Sequence, residues 1–367
     1  MNAPVVEFAS PEALKKSASA WRDLCARAAE PNPFVDPDFL LPLIAYENQR
    51  GLMTALVWAD GGRLIGLVAL RMPPLGVGLA RVWQSAYSPL PASAFDREAI
   101  VYALAAVVAG LREQTRFAGI VWPMTETGGA LAVALGQISK ADALPVLVVA
   151  SVRRAALRLA GLAAFEAGLD PERRRRWRRQ ARRLAERGRI ETRIGAEAVE
   201  AFLSVESKGW KGRRRTALAD DLARLAFARS ALEAFARAGR LDALALVLDG
   251  APIAAGIMLI SGARGYYWKS AYDEAFAGFS PGVQLALAHS RRLAERTDLA
   301  LLDSCALEDH PMIGRLWSNL LAFEDIALGL RPGASRPLHI WVALAQARAA
   351  AREALKRLVY RALGRRR

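Results

Sequence analysis

The chain has 367 residues, long enough for two domains of ordinary size, and its 53% apolar composition excludes general disorder. The net charge of +15 is concentrated: residues 171–189 hold ten Arg against two Glu, residues 340–367 hold eight Lys or Arg against one Glu, and the remainder is formally neutral. The basic character is therefore expected to belong to two helical segments and to say little about a pocket. Cys25 and Cys305 are too few for a disulfide framework or a zinc site, and His289, His310 and His339 show no ligand spacing, so no metal is expected. The longest apolar run, 99–111, reads as a buried helix rather than a membrane span. No basic segment followed by an apolar one opens the sequence, so no signal peptide is expected and a cytoplasmic location is.

In chain order, a first strand is predicted over 4–8 and a helix over 11–28, then a turn-rich connector at 31–37 and a short helix over 38–46. Strands over 54–58 and 64–72 flank Asp60-Gly61-Gly62, a hairpin signal. A strand over 81–87, a helix over 98–113, a strand over 119–122, a helix over 129–138 and a strand over 146–151 complete the first half. The second half repeats that order. A helical region over 197–239 precedes strands over 243–248 and 253–260 around Asp249-Gly250. Then come a strand over 266–272, a helix from Pro281, a strand over 299–304, a helix over 311–319 and a strand over 323–328. Trp83-Gln84-Ser85-Ala86-Tyr87 and Trp268-Lys269-Ser270-Ala271-Tyr272 agree at four of five positions, 185 residues apart, which favours a duplicated α/β unit.

Residues 266–284 hold the most informative stretch. A strand ending at Tyr272 leads through Gly278, Phe279 and Ser280 into a helix, with Ser280 at the N-cap and Pro281 at the first helical position. Unpaired N–H groups at such a helix start, with Gly282 allowing close approach, make an anion cradle suited to a pyrophosphate. An ordinary strand–turn–helix connection accounts for the same residues. The first copy has Ser88-Pro89-Leu90 here, without glycine, so the working cradle is expected only in the second.

Asn32-Pro33-Phe34, the run Glu206 to Arg213 (Glu-Ser-Lys-Gly-Trp-Lys-Gly-Arg), Thr216-Ala217-Leu218, Tyr272-Asp273, Ser280-Pro281-Gly282 and Asp303 carry a resemblance over about 30–330. Together with the element order, they resemble GNAT acyltransferases in the duplicated CelD/BcsL form and, more distantly, Fem-type aminoacyl transferases. The resemblance implies an α/β fold (α+β layered) of two tandem GNAT-like units, each a mixed, mostly antiparallel sheet flanked by helices, plus a C-terminal basic helix. The expected division is 1–165, non-catalytic; 166–335, with the donor site; and 336–367, the basic helix. It also implies an acyl donor, acyl-CoA or acetyl-CoA, and an amine acceptor, an amino sugar or another cell-envelope or polysaccharide precursor. The donor is expected on Gly278, Phe279, Ser280, Pro281, Gly282, Val283 and Gln284. The acceptor is expected beside Trp210, Lys211, Lys269 and Asp273.

Acyl transfer from a thioester needs a group to take the proton of the amine and another to protonate the leaving thiolate. Asp303, at the end of an apolar strand, and Glu206 are the candidate bases; Tyr272 is the candidate acid. Each has a plainer alternative: Asp303 pins a loop, Glu206 forms an ion pair, Trp210 plugs the space between units and Tyr272 packs as Tyr87 does. The segment 171–189 is either a solvated linker helix or a polyanion contact, which in a Fem-like enzyme would be an aminoacyl-tRNA. On the helix over 340–363, Ile340, Leu344, Ala347, Ala351, Leu355 and Leu358 share a face that either packs on the body or rests on an anionic membrane surface. A membrane-peripheral scaffold with a degenerate acyltransferase fold is the non-enzymatic alternative. The oligomeric state is not legible.

Overall fold

A computed structural model describes residues 3–47, 52–73, 77–114, 116–307, 310 and 312–362. Its strands are β1 (Val5–Ala9), β2 (Leu52–Ala59), β3 (Arg63–Arg71), β4 (Val77–Val82), β5 (Ser93–Phe95), β6 (Arg116–Glu126) and β7 (Val146–Arg158) in the first half. The second half adds β8 (Ile190–Ile194), β9 (Leu241–Leu248), β10 (Ala251–Ser261), β11 (Arg264–Tyr272), β12 (Leu301–Leu307) and β13 (Asn319–Gly329). All belong to one sheet, in the order β1-β2-β3-β4-β6-β13-β7-β12-β11-β10-β9-β8, with β5 beside β3.

The predicted hairpins form where the turn residues demand them. Asp249 and Gly250 join β9 to β10 with φ of 47° and 82°, the two positive values that a turn matched to strand twist requires. Two neighbouring pairs are parallel, β4 with β6 and β11 with β12, and each is bridged by a helix, Ile100–Gln114 or Pro281–Ala294. These repeated crossovers realise the expected duplication.

The two halves are joined by an exchange of strands. β13 comes from the end of the sheet-forming chain but inserts between β6 and β7, while β7 pairs onward with β12 through Asp303 opposite Ala156. Each half-sheet is thus completed by a strand from the other half of the chain. Aromatic side chains fill the junction: Phe39 meets Phe34, Phe227 and Trp268 edge-on at 5.2, 5.4 and 5.5 Å between ring centres. Phe34, from the Asn-Pro-Phe motif, also meets Tyr266 at 5.8 Å.

Several expectations are corrected. The strand expected over 81–87 is Val77–Val82, so the first copy of the repeated pentapeptide lies outside its strand. The chain turns there because Ser88 Oγ accepts the Ser85 N–H at 2.9 Å and the Ser88 N–H returns to the Ser85 carbonyl at 3.2 Å. The helix expected over 311–319 is a single turn, Ile313–Arg315, with Pro311 outside the described residues. Trp317 is drawn into the core, its Nε1–H donating to Ser290 Oγ at 2.9 Å, and β13 starts two residues later. The helix over 11–28 is interrupted by a 3-10 turn at Lys15–Ser17 and ends at Ala26. β5, β8 and the helix Leu162–Gly168 were not anticipated.

The last helix, Ser335–Ala362, docks on the sheet through Leu338 and Val342, which pack with Val121 and Ala327. Gln346 Nε2 donates to the Val149 carbonyl at 3.0 Å. The face read from the sequence points elsewhere: Ile340, Leu344 and Leu355 are exposed, and the Leu358 side chain lies outside those described. No helix among the described residues is long and apolar enough to cross a membrane.

Candidate active site

A cavity of about 640 Å³ opens where β11 and β12 part, within the roughly 300–1,000 Å³ typical of small-molecule sites. The two strands pair only from Arg264/Leu301 to Tyr266/Asp303. Beyond that, β11 carries a bulge: Lys269 faces Ile257 and Tyr267 faces Met258, leaving Trp268 as the extra residue. The bulged end of β11 contributes Ser270, Ala271 and Tyr272 to the cavity wall.

One side of the cavity is the helix start singled out in the sequence. Ser280, Pro281, Gly282 and Val283 line it at the start of the helix Pro281–Ala294. Ser280 occupies the N-cap in the left-handed region, φ 53° and ψ 52°, an uncommon backbone for a residue with a side chain. Its hydroxyl does not cap the helix; it accepts from Gln180 Nε2 at 3.0 Å. The Val283 N–H turns back to the Ser280 carbonyl at 3.0 Å, and Pro281 has no N–H. The Gly282 N–H has no partner among the described residues. A Cβ on Gly282 would stand 3.1 Å from Met312 Sδ and 3.4 Å from the Tyr272 ring, which explains the glycine. Tyr272 is 43% exposed beside this corner.

The arginine-rich helix, Pro171–Ala185, forms part of the same site, contrary to the expectation that its charge is unrelated to a pocket. Arg176 and Trp177 line the cavity, Gln284 Nε2 donates to the Trp177 carbonyl at 2.8 Å, and Arg183 and Arg187 stand 5.8 and 5.6 Å from the Phe279 ring. The signal in the sequence was the charge alone; Trp177 and Gln180 dock the helix here. His310, Met312 and Arg315 close the cavity from the loop after β12. His310 Nδ1 accepts from the Met312 and Ile313 N–H groups, each at 3.4 Å. Arg176, Lys211 and Arg315 are cations of the lining, and no carboxylate is among the lining residues described.

The opposite side is the Gly209-to-Gly212 motif. Trp210 and Lys211 line the cavity from the short helix Trp210–Arg213. Glu274 holds this helix, accepting the Trp210 N–H at 2.9 Å and Arg213 at 2.6 Å; the bond from Arg213 keeps its carboxyl below the usual range. A Cβ at Gly212 would run into the Ser207 carbonyl, so the close seating of the motif needs glycine.

The other expected site residues lie outside the lining. Glu206 is 2% exposed; it accepts from Lys211 Nζ at 2.7 Å and from the Leu218 N–H at 2.8 Å. Asp303 is fully buried, 3.3 Å from Arg154 Nη1, and accepts the Cys305 N–H at 2.7 Å; burial raises its carboxyl, with Arg154 opposing. Asp273 caps the turn before the cradle by accepting the Ala275 N–H at 2.9 Å. Lys269 packs against Tyr87 and Trp268. Gly278 and Phe279 sit in the turn preceding Ser280.

Residues 171–309 match the family model described as an acetyltransferase (GNAT) domain. No curated protein sequence matches the chain significantly. Among solved structures, FemX is similar at a TM-score of 0.56 and 11% identity, over 87% of this chain and 96% of its own. The C-terminal domain of a putative lysylphosphatidylglycerol synthetase from Agrobacterium fabrum is similar at 0.53 and 11%, over 90% and 96%. These likenesses show the fold. Residues 171–309 thus carry the match to a GNAT acetyltransferase domain, and the chain as a whole shares the fold of these structures.

Proposed function

We propose that the chain transfers an acyl group from acyl-CoA to an amine, an amino sugar or cell-envelope precursor being the acceptor class. The observation that carries this is a single cavity with a phosphate-compatible helix start on one side and Trp210 with Lys211 on the other. The donor fits the residues present. A diphosphate takes the Gly282 N–H and the positive end of the helix, with Arg176 and Arg315 neutralising further charge. The amine attacks the thioester carbonyl, a C–N bond forms, and the C–S bond breaks. In this reading Tyr272, which lines the cavity beside Gly282, gives its phenolic proton to the departing sulfur. Glu206 and Asp303 act in this reading as anchors, for the 210–218 segment and for the β7–β12 seam; water carries the proton away from the amine.

Release of free thiol from acetyl-CoA on adding glucosamine or related amines tests the reaction. Acceptor-dependent release is the expected result; no release with any acyl-CoA, by protein that melts cooperatively, would contradict it. A second reading, transfer from an aminoacyl-tRNA, draws on the arginines of the cavity-forming helix that face solvent, Arg173, Arg175, Arg178, Arg179, Arg182 and Arg183. It predicts tRNA binding that weakens steeply with salt and is lost on replacing Arg173 to Arg176 with alanine. No retention of tRNA at low salt would eliminate it.

A further inference from the structure

Lys269 is a largely buried cation that forms no ion pair among the described residues. Its Nζ lies 5.2 Å from the centre of the Tyr87 ring and 5.3 Å from that of Trp268. The charges around it deepen the imbalance: Lys211 and Arg224 act on it as like charges, and Glu206 is the opposing one. That carboxylate is already occupied by Lys211 Nζ and the Leu218 N–H. Arg224 is itself 9% exposed; its Nη2 donates to the Arg215 carbonyl at 3.4 Å, yet its Nε has no partner. Burial, then these cations, bring the Lys269 ammonium down to about 8. Lys269 on β11 thus lies against Tyr87 within the influence of two further cations, from the 210–213 helix and the helix Leu222–Arg237, and of the Glu206 carboxylate. Buried charge of this kind is destabilising unless an opposite charge meets it.

Lys211 also lines the cavity, on the side away from the cradle, and Lys269 precedes the lining residues Ser270 to Tyr272. We propose that Lys269, Lys211 and Arg224 form an anion subsite for the acceptor, so that the substrate carries a carboxylate or a phosphate monoester besides its reacting amine. This rests on the acyltransferase reading above. An apolar amine would leave Lys269 and the Arg224 Nε unmatched, whereas an anionic group on the acceptor would supply the missing opposite charge.

The subsite is tested by calorimetric titration of inorganic phosphate and, separately, acetate into protein saturated with coenzyme A, at constant ionic strength. Coenzyme A occupies the cradle, so the remaining anion binding reports the second site. Saturable binding is expected, weakened about tenfold or more in Lys269→Met and largely restored in Lys269→Arg. Coenzyme A affinity should remain within about twofold, because Lys269 is not in the cradle. The phosphate and acetate arms show which anion is preferred. No saturable anion binding, or binding equal in wild type and Lys269→Met, would overturn the proposal. Should coenzyme A itself fail to bind, the acyltransferase donor reading falls, and the same comparison on free protein still decides the subsite. Turnover of glucosamine 6-phosphate against glucosamine, and of alanine against alaninamide, gives the kinetic counterpart: the anionic member of a pair should be favoured, and only in protein that keeps a cation at 269.

Discussion

Trp268 Nε1 donates a hydrogen bond of 2.7 Å to the carbonyl oxygen of Tyr87. These residues are the first position of one repeated pentapeptide and the last of the other, so the two copies meet across the junction of the units. The contact places Tyr87 from the unit without a cradle beside Lys269 in the unit that has one. The first unit thereby packs behind the strand end that lines the cavity, through residues outside the lining itself.

Replacing Trp268 with Phe removes that bond and leaves a carbonyl without its donor. A stability loss of about 1–3 kcal/mol is expected from chemical denaturation. A change below about 0.3 kcal/mol would show that water or a neighbouring group takes over the bond.

Gly212→Ala tests the seating of the acceptor wall. A methyl group there meets the Ser207 carbonyl, so the helix Trp210–Arg213 must move away. Reaction with acceptor should fall about tenfold or more, with coenzyme A affinity nearly unchanged. Equal turnover would mean that Trp210 and Lys211 do not contact the acceptor.

Tyr272→Phe separates proton transfer from packing. The ring against Gly282 is retained, while the phenolic proton is lost. The expected result is a fall in kcat of about 100-fold, with a donor Kd that does not move. An unchanged kcat would assign the leaving-group proton elsewhere.

The pH dependence of stability follows from Lys269. Its folded value of about 8 lies below the ordinary 10.5, so the unfolded chain binds more protons between those values and stability rises with pH across that window. The cost of the buried charge is fully present below about 8. Lys269→Met is therefore expected to be more stable than wild type by about 1–3 kcal/mol at pH 7, with the gap closing towards pH 10. A variant less stable than wild type at pH 7 would indicate that the ammonium has a favourable partner.

Much of this site was legible because local chemistry specifies it. Asp249-Gly250 could only be a tight turn, and Ser280-Pro281 had the residue types of a helix start. What escaped was non-local. β7 and β13 have the same apolar character whichever neighbours they pair with, so residue pattern did not reveal their exchange. Arg176 was visible as charge, but its place in the cavity depends on Trp177 and Gln180 docking against a segment about a hundred residues away. His310 and Arg315 carried no spacing signal, since the turn that brings them in replaces an expected helix. For Glu206 and Asp303, residue type left both base and anchor open. Burial with Lys211 and Arg154 places both away from the cavity lining.

The most direct measurement is calorimetric titration of acetyl-CoA into wild-type protein and Gly282→Glu. A carboxylate at 282 would project towards Tyr272 and Met312, filling and charging the corner where the diphosphate is placed. Saturable binding by wild type, with affinity reduced about 100-fold or more in a variant that still melts cooperatively, is the predicted result. Equal affinity in both proteins would put the donor somewhere other than this corner and contradict the central assignment.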